Sequence, residues 1–228
     1  SNFANSFHWG LQVAPGQFVS AAQISAGYPV LLPIGIVFKI FGISLFAGRA
    51  VMVVFMAGLI LAAYYLVRKL YGDKIAVASS LLLATFPVFY GNGKNILGEI
   101  PGLFYLFIFL LFVNRIETGR GRDSLNYILA GLFFGFCVST KPLFLVLAPV
   151  VIIMAYFWRR KINFQTKTLI LFCASFAVPV FLWLASQFSF SDSIGYTFYH
   201  YSNPYAVKDL FYVIWNNFLR FFKEPGAI

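Results

Sequence analysis

Six apolar runs separated by short charged loops decide what this chain can become. They fall at about 45–67, 75–90, 100–113, 127–140, 142–158 and 168–186. Soluble domains are about 25% charged; this chain is 61% hydrophobic and 11% charged. It cannot cover a water-facing surface, and in hydrocarbon a chain must satisfy its own backbone N–H and C=O groups. The expected fold class is therefore all-α, a polytopic transmembrane helical bundle of about six spans. We expect one integral-membrane domain over residues 1–228, with a juxtamembrane helix at 26–44, the spans at 45–186, and an outer aromatic loop and interfacial helix at 187–228.

The charges set an orientation. Formal net charge is +10, and of seventeen cations ten lie in alternate loops. These are Arg68, Lys69 and Lys74; Arg115, Arg120 and Arg122; and Arg159, Arg160, Lys161 and Lys167. That is the positive-inside pattern, so these loops are expected in the cytoplasm. A nucleic-acid partner is not expected from cations spread in this way. The bilayer is the expected surrounding, and the opposite loops are expected on the outer side of the membrane.

Residues 28–43 are apolar but interrupted by Pro29, Pro33 and Lys39. Only about ten residues follow Pro33, too few to cross ~30 Å of hydrocarbon. This run reads as a helix lying in the outer interface, or as a re-entrant one. Residues 1–25 form a polar-aromatic lead with no basic, leader-like start. In the tail, Leu210, Phe211, Ile214, Trp215, Phe218, Leu219 and Phe222 recur at helical spacing. They suggest an amphipathic interfacial helix, or the start of a further span.

The longest-reaching local motif is Gly131-Leu-Phe-Phe-Gly135-Phe-Cys-Val-Ser139-Thr-Lys141-Pro142. Gly131, Gly135 and Ser139 share a helical face, where a neighbouring helix can come close. Lys141 follows at the end of the span, and Pro142 forces a turn. The lysine is either a phosphate-gripping cation or a snorkelling marker of the interface. The other outer candidates are Glu99, Arg49, Lys94, Tyr199, His200 and Asp192. A carboxylate beside a basic group can recognise a sugar hydroxyl or a phosphate held by its neighbours. Each also has a plainer reading: Glu99 as a favourable helix-start charge, Arg49 as an anchor, His200 as a surface group. The sequence has no paired His or Cys at metal-ligand spacing and no Gly-rich nucleotide loop. No metal and no cofactor are expected. Cys137 and Cys173 fall in apolar runs and read as small core residues.

These pieces, taken in order, resemble a known family. Gly27-Tyr-Pro-Val-Leu-Leu-Pro33, Lys39-Ile-Phe-Gly-Ile-Ser44 and Ala47-Gly-Arg49 resemble the juxtamembrane region of the GT-C membrane glycosyltransferases. The nearest group is the dolichyl-phosphate-mannose protein mannosyltransferase and aminoarabinose-transferase-like set. Asn95-Ile-Leu-Gly-Glu99-Ile-Pro101 is similar to its acidic span start, and Gly131 to Pro142 to its Gly-x-x-x-Gly…Thr-Lys signature. Phe198 to Tyr205 resembles its aromatic outer loop. The resemblance implies transfer of a sugar from a polyprenyl-phosphate carrier to a lipid, glycan or protein acceptor on the outer or lumenal face. It further implies that Glu99 lies in the carrier pocket with Lys141 and Arg49 near it.

The chain also departs from the family pattern. The family's catalytic aspartate lies in the first outer loop, whereas here no Asp or Glu precedes Asp73. Ala26-Gly27-Tyr28 stands where some members carry a phosphate-contacting lysine. Either this is a part of a longer enzyme, a part that begins after the catalytic residue, or the protein is an inactive relative; the expected reading is the former. The alternatives are a lipid or solute transporter domain, with Glu99 and Lys141 along a pathway, and a non-catalytic assembly subunit.

Overall fold

The structure is a computed structural model; it describes residues 10–14, 17–20, 27–87, 89, 98–118, 123–158 and 166–185. The main compact unit covers Ser25–Leu184, and a second takes in Ser1–Ile24 and Ala185–Ile228. In the second unit β1 (Gly10–Ala14) pairs antiparallel with β2 (Gln17–Ser20), with Leu11 opposite Val19 and Gln12 opposite Phe18. Pro15-Gly16, a turn-forming pair, lies between them. This hairpin is a local feature that the reading of 1–25 as a lead did not contain.

The main unit is helical, as the apolar runs require. Helix α1 (Tyr28–Phe41) has Pro29 in its first turn, where a missing N–H costs nothing, and runs on through Pro33. Its 14 residues reach about 21 Å, short of a hydrocarbon core. Gly42, at φ 85°, stops it and donates its N–H to Phe38 O at 3.0 Å.

Helix α2 (Leu45–Tyr71) starts where Ser44 Oγ accepts the Ala47 N–H at 3.1 Å. It ends on Gly72, at φ 89°, with Arg68 and Lys69 in its last turn, where cations suit the helix dipole. Helix α3 (Asp73–Thr85) opens with Asp73, which pairs with Arg68 across the turn. It is shorter than the apolar run 75–90, because Pro87 drives Phe86 to extended backbone.

Helix α4 (Glu99–Glu117) and helix α5 (Asp123–Thr140) follow. The run 142–158 divides into a 3-10 turn (Pro142–Leu147) and helix α6 (Ala148–Trp158). Helix α7 (Thr166–Ala185) carries Pro179 buried within it. Among the described residues α2, α4 and α7 are long and apolar enough to cross a membrane.

Packing follows small residues and aromatic rings. A Cβ on Gly131 would lie 2.3 Å from Phe172 O, and one on Gly135 would lie 2.7 Å from Phe176 O. The glycine face of α5 thus seats α7, and lipid is left to cover the outward side chains. Val54, Leu82 and Phe181, about 70% exposed each, are among the large apolar residues a water-facing protein rarely displays together. Phe112 stacks on Phe133 with ring centres 5.8 Å apart, and Phe134 on Phe176 at 5.4 Å.

Candidate functional site

One end of the bundle gathers the start of α1, the start of α4 and the end of α5. Glu99 is the first residue of α4, with Gly98 as its cap and Pro101 two residues on. Thr140 closes α5 by donating its hydroxyl to Phe136 O at 2.7 Å. Lys141 then turns extended, φ −152° and ψ 120°, as a residue before proline must. Its ammonium donates to Glu99 Oε1. The Lys141 side chain is 19% exposed and that of Glu99 36%.

The same two segments also touch one turn further on. The Phe144 N–H donates to Lys141 O at 3.0 Å, tightening the turn. The Phe144 ring then lies on the backbone of Gly102, where a Cβ would come within 2.1 Å of it. Residues three on from each partner are therefore in contact as well.

Helix α1 closes the same end. The Gly27 N–H donates to Thr140 O at 2.7 Å, and a Cβ on Gly27 would lie 1.8 Å from Ser139 O. Tyr28 packs edge-on against Phe136, with ring centres 6.4 Å apart. Burial, and then the neighbouring Tyr105, push the Tyr28 phenol up to about 12, so it stays protonated. Three side-chain atoms here are buried without a hydrogen-bond partner among the described residues: Tyr28 Oη, Ser139 Oγ and Glu99 Oε2. Such atoms are costly unless something else supplies the bond.

Glu99, the Gly131-to-Lys141 motif and nearly all of the apolar runs fall within a stretch that one family describes. The model of the dolichyl-phosphate-mannose-protein mannosyltransferase family matches residues 30–183, more than half of the chain. The chain belongs to this family. It is, in general terms, a membrane glycosyltransferase of the GT-C type. The match runs from the first turn of α1 to near the end of α7. No curated protein and no solved structure matches the chain.

Of the residues singled out in the sequence, the structure brings Glu99 and Lys141 into contact. Arg49 lies in the second turn of α2 and is exposed. Ion pairs among the described residues form at Glu99–Lys141 and Arg68–Asp73, and Arg49 belongs to neither. Lys94, Asp192, Tyr199 and His200 lie outside the described residues, as do the interfacial helix and the aromatic loop of the tail. Sequence reasoning quoted Gly27 and Tyr28 only within the family pattern and missed Gly102, Tyr105 and Phe144. Two signals were present: a proline inside an apolar helix leaves a carbonyl in need of a donor, and Tyr105 is a hydroxyl in a run of Leu and Phe.

Proposed function

We propose that the Glu99–Lys141 pair is part of the pocket for a polyprenyl-phosphate sugar donor. The sugar would pass to a lipid, glycan or protein acceptor at the outer or lumenal face. The observation that carries this reading is an ion pair with capacity left over at the end of an apolar bundle. An ammonium has three N–H donors, and the Glu99 bond takes one of them. The others suit oxygens of the carrier phosphate, in charge-assisted bonds. The second carboxylate oxygen, Oε2, is buried without a donor among the described residues and suits a sugar hydroxyl next to that phosphate.

In the transfer an acceptor oxygen bonds to the anomeric carbon as the bond from that carbon to the phosphate oxygen breaks. The phosphate leaves with the electron pair, and a base takes the acceptor's proton. Lys141 would stabilise the charge gathering on the leaving phosphate where little water competes. The Glu99 contact would hold the ammonium in place and bind the sugar on the other side.

Binding of two lipids to the purified whole protein tests this. Polyprenyl phosphate probes the phosphate contact, and polyprenyl-phosphate mannose adds the sugar. Lys141→Ala should weaken both, and Glu99→Gln should weaken the sugar-bearing lipid more. Wild-type binding of both lipids by both variants would remove the pair from the donor site.

A further inference from the structure

The start of α1 is held by the same two helices that carry the ion pair. Pro33 lacks an N–H, so the Pro29 carbonyl loses the donor that an uninterrupted helix would give it. The Tyr105 hydroxyl, from α4, donates to that carbonyl at 3.3 Å. From the other side, the Gly27 N–H is bonded to Thr140 O on α5. The Tyr105 ring is itself wedged among rings, 5.9 Å from Phe55 and 5.5 Å from Phe136 between centres. Its hydroxyl is therefore a fixed point.

We propose that Tyr105 is a positioning residue for donor binding: its bond to the Pro29 carbonyl sets where the first turn of α1 lies against the Glu99–Lys141 pair. This rests on the reading of that pair as part of the donor pocket. Tyr105 acts through α1 and touches no substrate. What it positions is the Gly27–Tyr28 step, whose phenol is a protonated donor with a buried oxygen and no partner among the described residues. A phosphate or a sugar oxygen is the kind of acceptor that such a group fits.

The test uses the whole protein, with polyprenyl phosphate as the probe. Tyr105→Phe keeps the ring and removes the hydroxyl, and should raise the Kd about fivefold, the scale of one neutral hydrogen bond. Adding Pro33→Ala restores a backbone N–H that can satisfy the Pro29 carbonyl without any link to α4. In this double variant the Tm should return toward wild type while the Kd stays raised. If the Kd recovers together with the Tm, Tyr105 only satisfies a carbonyl, and the proposal is overturned. A wild-type Kd in Tyr105→Phe overturns it too. Should Tyr105→Phe alone not accumulate in folded form, the double variant decides: a wild-type Kd there has the same meaning. Lys141→Ala, measured alongside, separates the two readings. If Lys141→Ala is impaired and Tyr105→Phe is not, only the positioning role fails. If Lys141→Ala binds as wild type, it is the donor pocket that fails.

Discussion

The Lys141 ammonium donates to Glu99 Oε1 and so ties the residue just past α5 to the first residue of α4, 42 positions away in sequence. If the pair grips the carrier phosphate, Lys141→Ala should weaken polyprenyl phosphate binding roughly 10- to 150-fold, about 1.5–3 kcal/mol for a charge-assisted contact. Lys141→Arg should rescue only part of this, because the guanidinium is larger and planar. A double-mutant cycle with Glu99→Gln separates function from packing. For a purely structural pair, removing both charges recovers the Tm and the Kd together; for a binding pair, the Kd stays raised.

Gly102→Ala should loosen the pair without touching either charge. The added methyl meets the Phe144 ring at 2.1 Å, and overpacking of this kind costs about 1–3 kcal/mol. Thermal unfolding in detergent should show the loss. Phe144→Leu in the same background should restore part of it by making room; an unchanged Tm in Gly102→Ala would mean that the ring is not seated there.

The glycines of the bundle should divide by what surrounds them. Gly131→Ala and Gly135→Ala push against backbone oxygens of α7 and should each cost about 1–3 kcal/mol. Gly27→Ala meets Ser139 O at 1.8 Å and should behave likewise. Gly35 in α1 has nothing within 4 Å of an added Cβ. Gly35→Ala should stabilise the helix by about 0.5–1 kcal/mol. Comparing the four Tm values in one detergent checks the division; equal shifts would contradict it.

The cation distribution predicts that the loops around Arg68–Lys74, Arg115–Arg122 and Arg159–Lys167 face the cytoplasm. A cysteine introduced at position 120, in a Cys137→Ser, Cys173→Ser background, should resist a membrane-impermeant thiol reagent in intact cells. It should react once the membrane is opened. Labelling from outside would reverse the orientation.

Much of the fold was legible because it is local. The α2 start at Ser44 and the change of direction at Pro142 are written in residues next to the event they cause. Within the run 75–90 the helix breaks at Phe86, and its cause, Pro87, is just as local; Pro87 and Phe89 are helical again. The 3-10 turn inside 142–158 has a local marker as well, Pro149 in the first turn of α6, but hydropathy passes over it because the run is apolar throughout. The candidate site was legible only in part. Glu99 and Lys141 stand out as charges at the ends of apolar runs, but Arg49 stands out for the same reason and is not joined to them.

The sequence by itself determined that this chain makes membrane-spanning helices, and where most of them begin and end. Apolar runs must close their own backbone bonds in hydrocarbon, and caps and prolines act within a few residues. Tertiary structure alone decided which polar groups meet. Lys141 finds Glu99 across 42 positions, and the Tyr105 hydroxyl finds the Pro29 carbonyl across 76. No pattern along the chain encodes such partners. They depend on how closely helices approach, which Gly27, Gly102, Gly131 and Gly135 permit through the atoms that they lack.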